Sequence, residues 1–181
     1  MNAPFVRGII ADPFTRLTPT GHQLLSLFYD TLYTPLGTLT LEASERGLSS
    51  IRFPNRPQPM AGKIARNSVL KLAKRELTAY FSRQLRAFSV PLDWHGTAFQ
   101  ESVWQALTDI PYGETVSYAA IARAIGRPRS ARPTGGAVGR NPLPIIVPCH
   151  RVIGADHTLT GFTGGLNTKV ALLELEGREV D

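Results

Sequence analysis

Proline and glycine divide the second half of the chain into short segments, and this spacing restricts the possible folds more than any other feature. The chain has 14 prolines and 16 glycines among its 181 residues, and more than half of them follow residue 95. Because proline is excluded from helix interiors and glycine destabilises them, each helix in this region must be short. Between these breaks apolar residues recur at helical spacing, so we predict that the second half is mostly helical, with turns at close intervals.

Helix boundaries in this half are indicated by capping residues. Thr97 and Ser117 each precede an apolar pattern with helical spacing, and their hydroxyls can accept hydrogen bonds from free backbone N–H groups. Pro133 fits only in the first turn of a helix, where no N–H is needed. The predicted helices run from Thr97 to a stop at residues 111–113, over about 118–125, from Ser130 or Arg132 to before Asn141, and over about 164–176.

Two apolar stretches are expected to be buried. Residues 143–147 are framed by three prolines and are predicted to form an extended segment. In the last helix, Leu166, Val170 and Leu173 recur at helical spacing and are predicted to face inward.

The first half follows a different pattern, which indicates a small sheet. The predicted strands are 31–34, 38–41 and 48–53, joined by turns at 35–37 and 45–47. A helix is predicted over about 68–81, with its apolar face formed by Leu70, Ala73, Leu77 and Phe81.

These patterns together predict an α+β fold. A small N-terminal antiparallel sheet with a helix is followed by a mainly helical C-terminal domain of the winged helix-turn-helix type. The predicted limits are an arm over residues 1–22, a sheet-and-helix domain over 23–91 and a second domain over 92–181.

The charge distribution points to a polyanionic partner. The formal net charge is +6, and residues 115–155 contain six arginines but no lysine, aspartate or glutamate. A solvated positive face would also explain this segment, but arginine can grip phosphate with two hydrogen bonds. The same segment contains a helix pair joined at Gly126-Arg127-Pro128, a candidate helix-turn-helix. Its second helix contains Gly135 and Gly136 and few long side chains, so we expect DNA binding that does not read sequence.

Cysteine and histidine usage restricts the chemistry. A single cysteine excludes an intramolecular disulfide and a metal site built on several thiolates, and the four histidines lack metal-site spacing. We therefore expect no metal and no cofactor. No apolar run approaches the length of a membrane span, and the N-terminus lacks the apolar core of a signal peptide. We expect a cytoplasmic protein that has no membrane partner and associates with the nucleoid if it is bacterial.

The single cysteine, Cys149, is the candidate nucleophile. A lone cysteine is most often a small buried apolar residue. Here His150 follows directly and can accept a proton, while Arg151 and the arginine-rich surroundings would favour the thiolate. Glu176 is one acidic residue that could orient the imidazole.

The segment Pro148-Cys149-His150-Arg151-Val152 resembles the signature of the O6-alkylguanine-DNA alkyltransferases, also called methylated-DNA–protein-cysteine methyltransferases. The resemblance covers residues 96–177 in order and spacing, whereas the first half resembles the family's smaller domain only in outline. The further matching motifs are Phe99-Gln100, Val103-Trp104, Ile110-Pro111-Tyr112-Gly113, Val116-Ser117-Tyr118, Asn141-Pro142 and Gly164-Gly165-Leu166.

The resemblance implies catalytic roles for five residues. Cys149 is the implied alkyl acceptor, His150 the base that acts through a water, and Glu176 the residue that holds His150. Asn141 is implied to fix the turn between the recognition helix and the active-site segment. Tyr118 is implied to donate a hydrogen bond that helps guanine leave.

The resemblance also implies contacts with DNA and with guanine. Arg132 would enter the duplex in place of a flipped nucleotide, and Ala119 and Arg127 would lie near the DNA backbone. The residues implied to border the guanine pocket are Val138, near the alkyl group, with Val152, Phe162 and Thr163.

The function implied is single-turnover repair of duplex DNA, in which the alkyl group moves irreversibly from O6 of guanine to Cys149. Transfer from O4 of thymine stays open, as does clustering of the expected monomer on DNA. One alternative is a protein that binds alkylated DNA and flags it for other repair factors, although relatives of that kind lack the cysteine. Two further alternatives are a winged-helix transcription factor and a thiol peptidase.

Overall fold

A four-stranded sheet with one helix packed against it forms the first half of the protein. The computed structural model describes residues 27–55, 63–64 and 67–179, so the predicted arm over 1–22 lies outside the described residues. The strands are β1 (Phe28–Thr34), β2 (Gly37–Ala43), β3 (Leu48–Arg52) and β4 (Lys63–Ile64). Their order is β3-β2-β1-β4; β1 pairs antiparallel with β2, as does β2 with β3, and β4 lies parallel to β1. The sequence pattern did not predict β4.

Helix α1 (Ser68–Phe81) covers the buried face of this sheet. Asn67 begins the helix, because its side chain accepts hydrogen bonds from the backbone N–H groups of the first turn. The predicted apolar face packs against alternate residues of β2, and Leu39 and Leu41 there are fully buried.

The second half contains four short helices and one small pair of strands. The helices are α2 (Ala98–Thr108), α3 (Tyr118–Ala124), α4 (Ala131–Val138) and α5 (Leu166–Leu175). Thr97 caps α2 in a capping box with Gln100, and Ser117 caps α3, as predicted. Strands β5 (Val116–Ser117) and β6 (Val152–Ile153) pair in parallel, so they bring the start of α3 beside the segment that follows Cys149. Helices α3 and α4 contact each other and form the predicted helix-turn-helix pair.

Two local expectations are wrong. Residues 143–147 are buried, but they turn back on themselves: the amide of Val147 donates to the carbonyl of Leu143 (2.9 Å), and Ile145 has a φ of 78°. In α5, Leu166 is 46% exposed, and the face turned inward carries Lys169, Leu172 and Leu173. Because Lys169 lies on the inner face, the apolar pattern placed the buried face of α5 part of a turn away from its observed position.

The two halves share one apolar core. Buried residues of the sheet, of α1 and of α2 belong to the same cluster as the residues around Cys149. Backbone contacts also cross between the halves, since the amide of Ile51 in β3 donates to the carbonyl of Pro142 (2.8 Å). Within the residues described, no helix is long and apolar enough to cross a membrane.

Candidate active site and nucleic-acid interface

Cys149 begins a short 3-10 turn, Cys149–Arg151, which leads directly into β6. Its amide donates to the carbonyl of Val147 (2.8 Å), and the residue is only 3% exposed. Burial raises the pKa of the thiol to about 11, although the Asn141 side chain and the Lys169 charge act in the opposite direction. Without a base, therefore, the resting thiol stays protonated at neutral pH.

Asn141 joins the end of α4 to the Cys149 segment. Its Nδ2 donates to the carbonyl of Val147 (2.7 Å), and its Oδ1 accepts from the amide of Leu143 (3.0 Å). Both polar atoms of the side chain are therefore hydrogen-bonded to backbone groups, and they stabilise the turn over residues 143–147. This is the location that the resemblance implied for Asn141.

Glu176, which follows α5, receives hydrogen bonds from residues far apart in the chain. Nε2 of His150 lies 3.0 Å from its Oε1, and Arg151 donates to both carboxylate oxygens at 2.8 Å. Tyr80 of α1 donates to Oε1 (2.7 Å), and the amide of Gly113 donates to Oε2 (3.0 Å). Burial alone would raise the pKa of Glu176, but the hydrogen bonds from His150 and Arg151 hold it well below its usual range.

These contacts define the state of His150. The residue is fully buried, and burial lowers the pKa of its imidazole against the opposing effect of Glu176. The ionised carboxylate can only accept, so Nε2 of the neutral ring carries the proton and Nδ1 carries the lone pair. Among the described residues, Nδ1 is buried and has no hydrogen-bond partner in the protein. It is therefore the nitrogen that can take up a proton.

Arg151 has a different position from the one expected for activating the thiol. It is buried, with its guanidinium bound to Glu176 and to the carbonyl of Ile110 (2.5 Å). Its charge therefore compensates the carboxylate. The side chains that lower the thiol pKa are instead Asn141 and Lys169.

Tyr118, Ala119 and Arg132 share one shallow cleft of about 540 Å³. The opposite wall of the cleft comes from the segment that follows β6, where Thr160 donates through its Oγ1 to the Tyr118 hydroxyl (3.1 Å). Because α3, α4 and this segment converge here, the cleft lies on the surface of the helix-turn-helix pair.

The remaining predicted pocket residues lie at different depths. Val138 and Val152 are buried in the core with Cys149. Phe162 packs edge-on against Phe53 of the first half, and Thr163 donates to the carbonyl of Gly139 (3.0 Å). The structure thus brings Val138 of α4 and Val152 of β6 into the core with Cys149, whereas Phe162 and Thr163 contact Phe53 and Gly139.

The arginine-rich segment is largely at the surface. Five of its six arginines are exposed and one, Arg151, is buried; the exposed ones are Arg123, Arg127, Arg129, Arg132 and Arg140. They belong to α3, α4 and the turns next to these helices. Among the residues described, no three His, Cys, Asp or Glu side chains lie close enough together to hold a metal ion.

Comparison with known proteins decides the family. The chain matches the family model described as 6-O-methylguanine DNA methyltransferase, DNA binding domain, over residues 98–178. It matches the model described as 6-O-methylguanine DNA methyltransferase, ribonuclease-like domain, over residues 27–94. The chain belongs to the 6-O-methylguanine DNA methyltransferase family.

Individual members of this family are similar over most of their length. A methylated-DNA–protein-cysteine methyltransferase of Methanosarcina barkeri is 46% identical over 153 residues, which cover 83% of this chain and 97% of the relative. One from Mycobacterium tuberculosis is 48% identical over 160 residues, covering 83% and 92%. The crystal structure of Mycobacterium tuberculosis OGT in complex with DNA matches with a TM-score of 0.77 and 48% identity, covering 82% of this chain and 92% of that one.

Sequence reasoning missed three contributors to the site of this methyltransferase-family member. Tyr80 lies in the first half and has the spacing of an ordinary core residue of α1. Lys169 occupies an inward position that the apolar pattern assigned to other residues. Gly113 was recognised only as part of a helix stop, but its φ of 78° turns its amide toward Glu176. An available signal was the Pro-Tyr-Gly turn itself, because glycine favours this left-handed conformation.

Proposed function

We propose that this protein repairs alkylated guanine in duplex DNA by moving the alkyl group from O6 of guanine to Sγ of Cys149. The observation that carries the proposal is the arrangement of Cys149, His150 and Glu176. A buried thiol is followed directly by an imidazole whose protonated nitrogen is held by a carboxylate, so that its other nitrogen is free to accept a proton. Membership of the family, and the similarity to a protein crystallised in complex with DNA, supply the substrate.

In the proposed reaction, His150 takes the thiol proton, through a water between Nδ1 and Sγ. The thiolate then attacks the alkyl carbon, a C–S bond forms, and the bond between that carbon and O6 breaks with its electrons moving into the guanine ring. The proton returns to the guanine, so the products are a thioether and an unmodified base. Because the raised pKa of Cys149 disfavours a standing thiolate, the proton transfer has to accompany binding of the base.

Glu176 supports this step in two ways. Its ionised carboxylate keeps the proton of His150 on Nε2, and it stabilises the imidazolium that forms when Nδ1 accepts the thiol proton. Arg151, Tyr80 and Gly113 fix the carboxylate, and His150 therefore keeps one orientation.

The cleft lined by Tyr118 and Arg132 is proposed to receive the base after it has left the duplex. Chemistry at O6 requires the nucleotide to leave the stack, at a cost of a few kcal/mol. Arg132 is exposed at the cleft and would fill the space left in the duplex, while Tyr118 would donate a hydrogen bond to the departing guanine. Val138, Val152, Phe162 and Thr163 would border the base and its alkyl group.

Arg127 and Ala119 are proposed to contact the DNA backbone, together with the exposed arginines other than Arg132. A small-residue recognition helix bound this way would be largely blind to sequence, which suits lesions that arise anywhere. We propose a monomer with a domain division between residues 91 and 92, and the two family matches, over 27–94 and 98–178, support a division close to this point. We also propose that it acts in the cytoplasm, on the nucleoid if it is bacterial.

The decisive experiment measures intact mass after incubation with a duplex that contains O6-methylguanine. The expected result is a gain of one methylene unit per protein molecule, located on Cys149 by peptide mapping and absent in Cys149→Ala. A duplex with O4-methylthymine tests the second substrate in the same way. Tight binding of the O6-methylguanine duplex with no mass gain would refute transfer and favour the damage-flagging alternative.

A further inference from the structure

Lys169 is a buried cation whose charge lowers the pKa of the Cys149 thiol, and the proposed reaction gives it no further role. It lies on the inner face of α5 and is fully buried. In the described part of the chain, its ammonium donates to two backbone carbonyls, those of Val152 (2.6 Å) and Thr160 (3.0 Å), and forms no ion pair. Burying a charge without a counter-ion is costly, and burial accordingly lowers the pKa of Lys169 to about 8. Filling space in the core does not require an ammonium.

The two carbonyls that Lys169 joins belong to two different parts of the chain that follow the reactive segment. Val152 comes three residues after Cys149 and begins β6. Thr160 lies in residues 154–163, which contain no helix or strand and which contribute Ala155, Thr160 and Gly161 to the wall of the cleft. The ammonium therefore links this irregular segment to β6, the strand that follows the Cys149 turn.

Thr160 continues the connection toward the base-binding side. While its carbonyl accepts from Lys169, its hydroxyl donates to the Tyr118 hydroxyl (3.1 Å). A phenol oxygen that accepts this bond keeps its own proton for another acceptor. Two hydrogen bonds thus connect the buried ammonium to the orientation of Tyr118.

We propose that Lys169 is a positioning residue, which holds residues 154–163 against β6 and, through Thr160, orients the Tyr118 hydroxyl to donate to the base. The inference rests on the proposed function, because Tyr118 acts on guanine only if the protein transfers an alkyl group from it. Tyr118 alone could rotate about its side-chain bonds. The two hydrogen bonds that join Lys169, Thr160 and Tyr118, called the clamp below, remove that freedom before the base arrives.

The test compares single-turnover transfer rates from an O6-methylguanine duplex at saturating protein. Thr160→Val keeps the carbonyl that Lys169 binds and removes only the hydroxyl, at an exposed position where folding is not at risk. It is expected to slow transfer by about tenfold, roughly the net value of one hydrogen bond, because the Tyr118 hydroxyl loses the one that orients it toward the base. Thr160→Ser is expected to restore most of the rate.

A double-mutant cycle separates this role from a merely structural one. In a Tyr118→Phe background, Thr160→Val should have almost no further effect, because the hydroxyl that it orients is already absent. Affinity for the duplex, measured in a Cys149→Ala background so that no transfer occurs, should stay within about twofold for Thr160→Val. Equal slowing in both backgrounds would overturn the inference.

Lys169→Met tests the buried ammonium, with Lys71→Met at an exposed position of α1 as the matched control. Lys169→Met removes both the link to Thr160 and the charge that lowers the pKa of Cys149, so it is expected to slow transfer more than Thr160→Val, whereas Lys71→Met should react at the unaltered rate. A Lys169→Met protein that stays folded and transfers at the unaltered rate would refute the clamp. Absence of transfer by the unsubstituted protein would instead refute the proposed function, so the two failures are distinguishable.

Discussion

Replacing Glu176 with glutamine should destabilise the protein far more than the loss of one surface charge. Five donor groups converge on the two carboxylate oxygens: Tyr80 Oη, Gly113 N, His150 Nε2 and two nitrogens of Arg151. Glutamine has one acceptor oxygen, and its amide nitrogen would face donors. The buried guanidinium would also lose its counter-ion, and removing one partner of a buried pair costs about 3–5 kcal/mol.

Urea unfolding at pH 7 measures this loss, and Glu174→Gln is the matched control. Glu174→Gln makes the same chemical change two residues earlier, at an exposed position of α5. It should alter the unfolding free energy by less than about 0.5 kcal/mol. A loss below about 1 kcal/mol in Glu176→Gln would refute the argument that the carboxylate compensates Arg151.

The same variant has a defined pH signature. The folded-state pKa of Glu176 is depressed, so its contribution to stability is complete above the ordinary glutamate value of 4.5 and is lost as pH falls below it. The depressed pKa of His150 acts in the same direction: its contribution is complete above the ordinary value of 6.5 and declines as pH falls. The stability difference between the unsubstituted protein and Glu176→Gln should therefore shrink below pH 4.5, and a constant difference would contradict the assignment.

Three further predictions address the neighbours of this network and the DNA surface. Tyr80→Phe should cost about 1.5–3 kcal/mol in urea unfolding, the value of a hydrogen bond to a charged acceptor, while the transfer rate falls less than about tenfold because Glu176 keeps its other donors; a larger rate loss without a stability loss would contradict this. Arg127→Ala should reduce the slope of log K against log salt for duplex binding by about 0.9, with Arg75→Ala on α1 as a control that leaves it unchanged; equal slopes would place Arg127 away from phosphate. Labelling of Cys149 by iodoacetamide without DNA should rise with pH toward its pKa of about 11, and a plateau near pH 8 would contradict the raised value.

The helix boundaries were predictable because the interactions that set them are local. The predicted limits of α1, residues 68–81, are those observed, and Thr97 and Ser117 cap the helices that they were expected to cap. In both caps the side-chain oxygen and the backbone N–H that donates to it lie within three residues of each other. A short stretch of sequence therefore contains the whole cause.

The parts that escaped prediction depend on contacts between distant segments. Tyr80 and Glu176 are 96 positions apart, and Lys169 meets Val152 from 17 positions away. A buried lysine also violates the apolar pattern from which inward faces are inferred, which is why Leu166 was assigned in error to the core. For the candidate site, the sequence identified His150 and Arg151 as neighbours of Cys149. Only the fold shows that Arg151 pairs with Glu176.

The position of Glu176 also has a consequence for biosynthesis. The carboxylate lies near the C-terminal end of the described chain, whereas Tyr80, Gly113 and the His150-Arg151 pair all precede it. A ribosome therefore makes every donor of this network before it makes the acceptor. A chain that stops short of residue 176 contains Cys149 and the complete arginine-rich surface, yet it leaves a guanidinium and an imidazole facing an apolar interior. We therefore expect truncated copies of this kind to be unstable, so that only chains extending past α5 keep a folded alkyl acceptor.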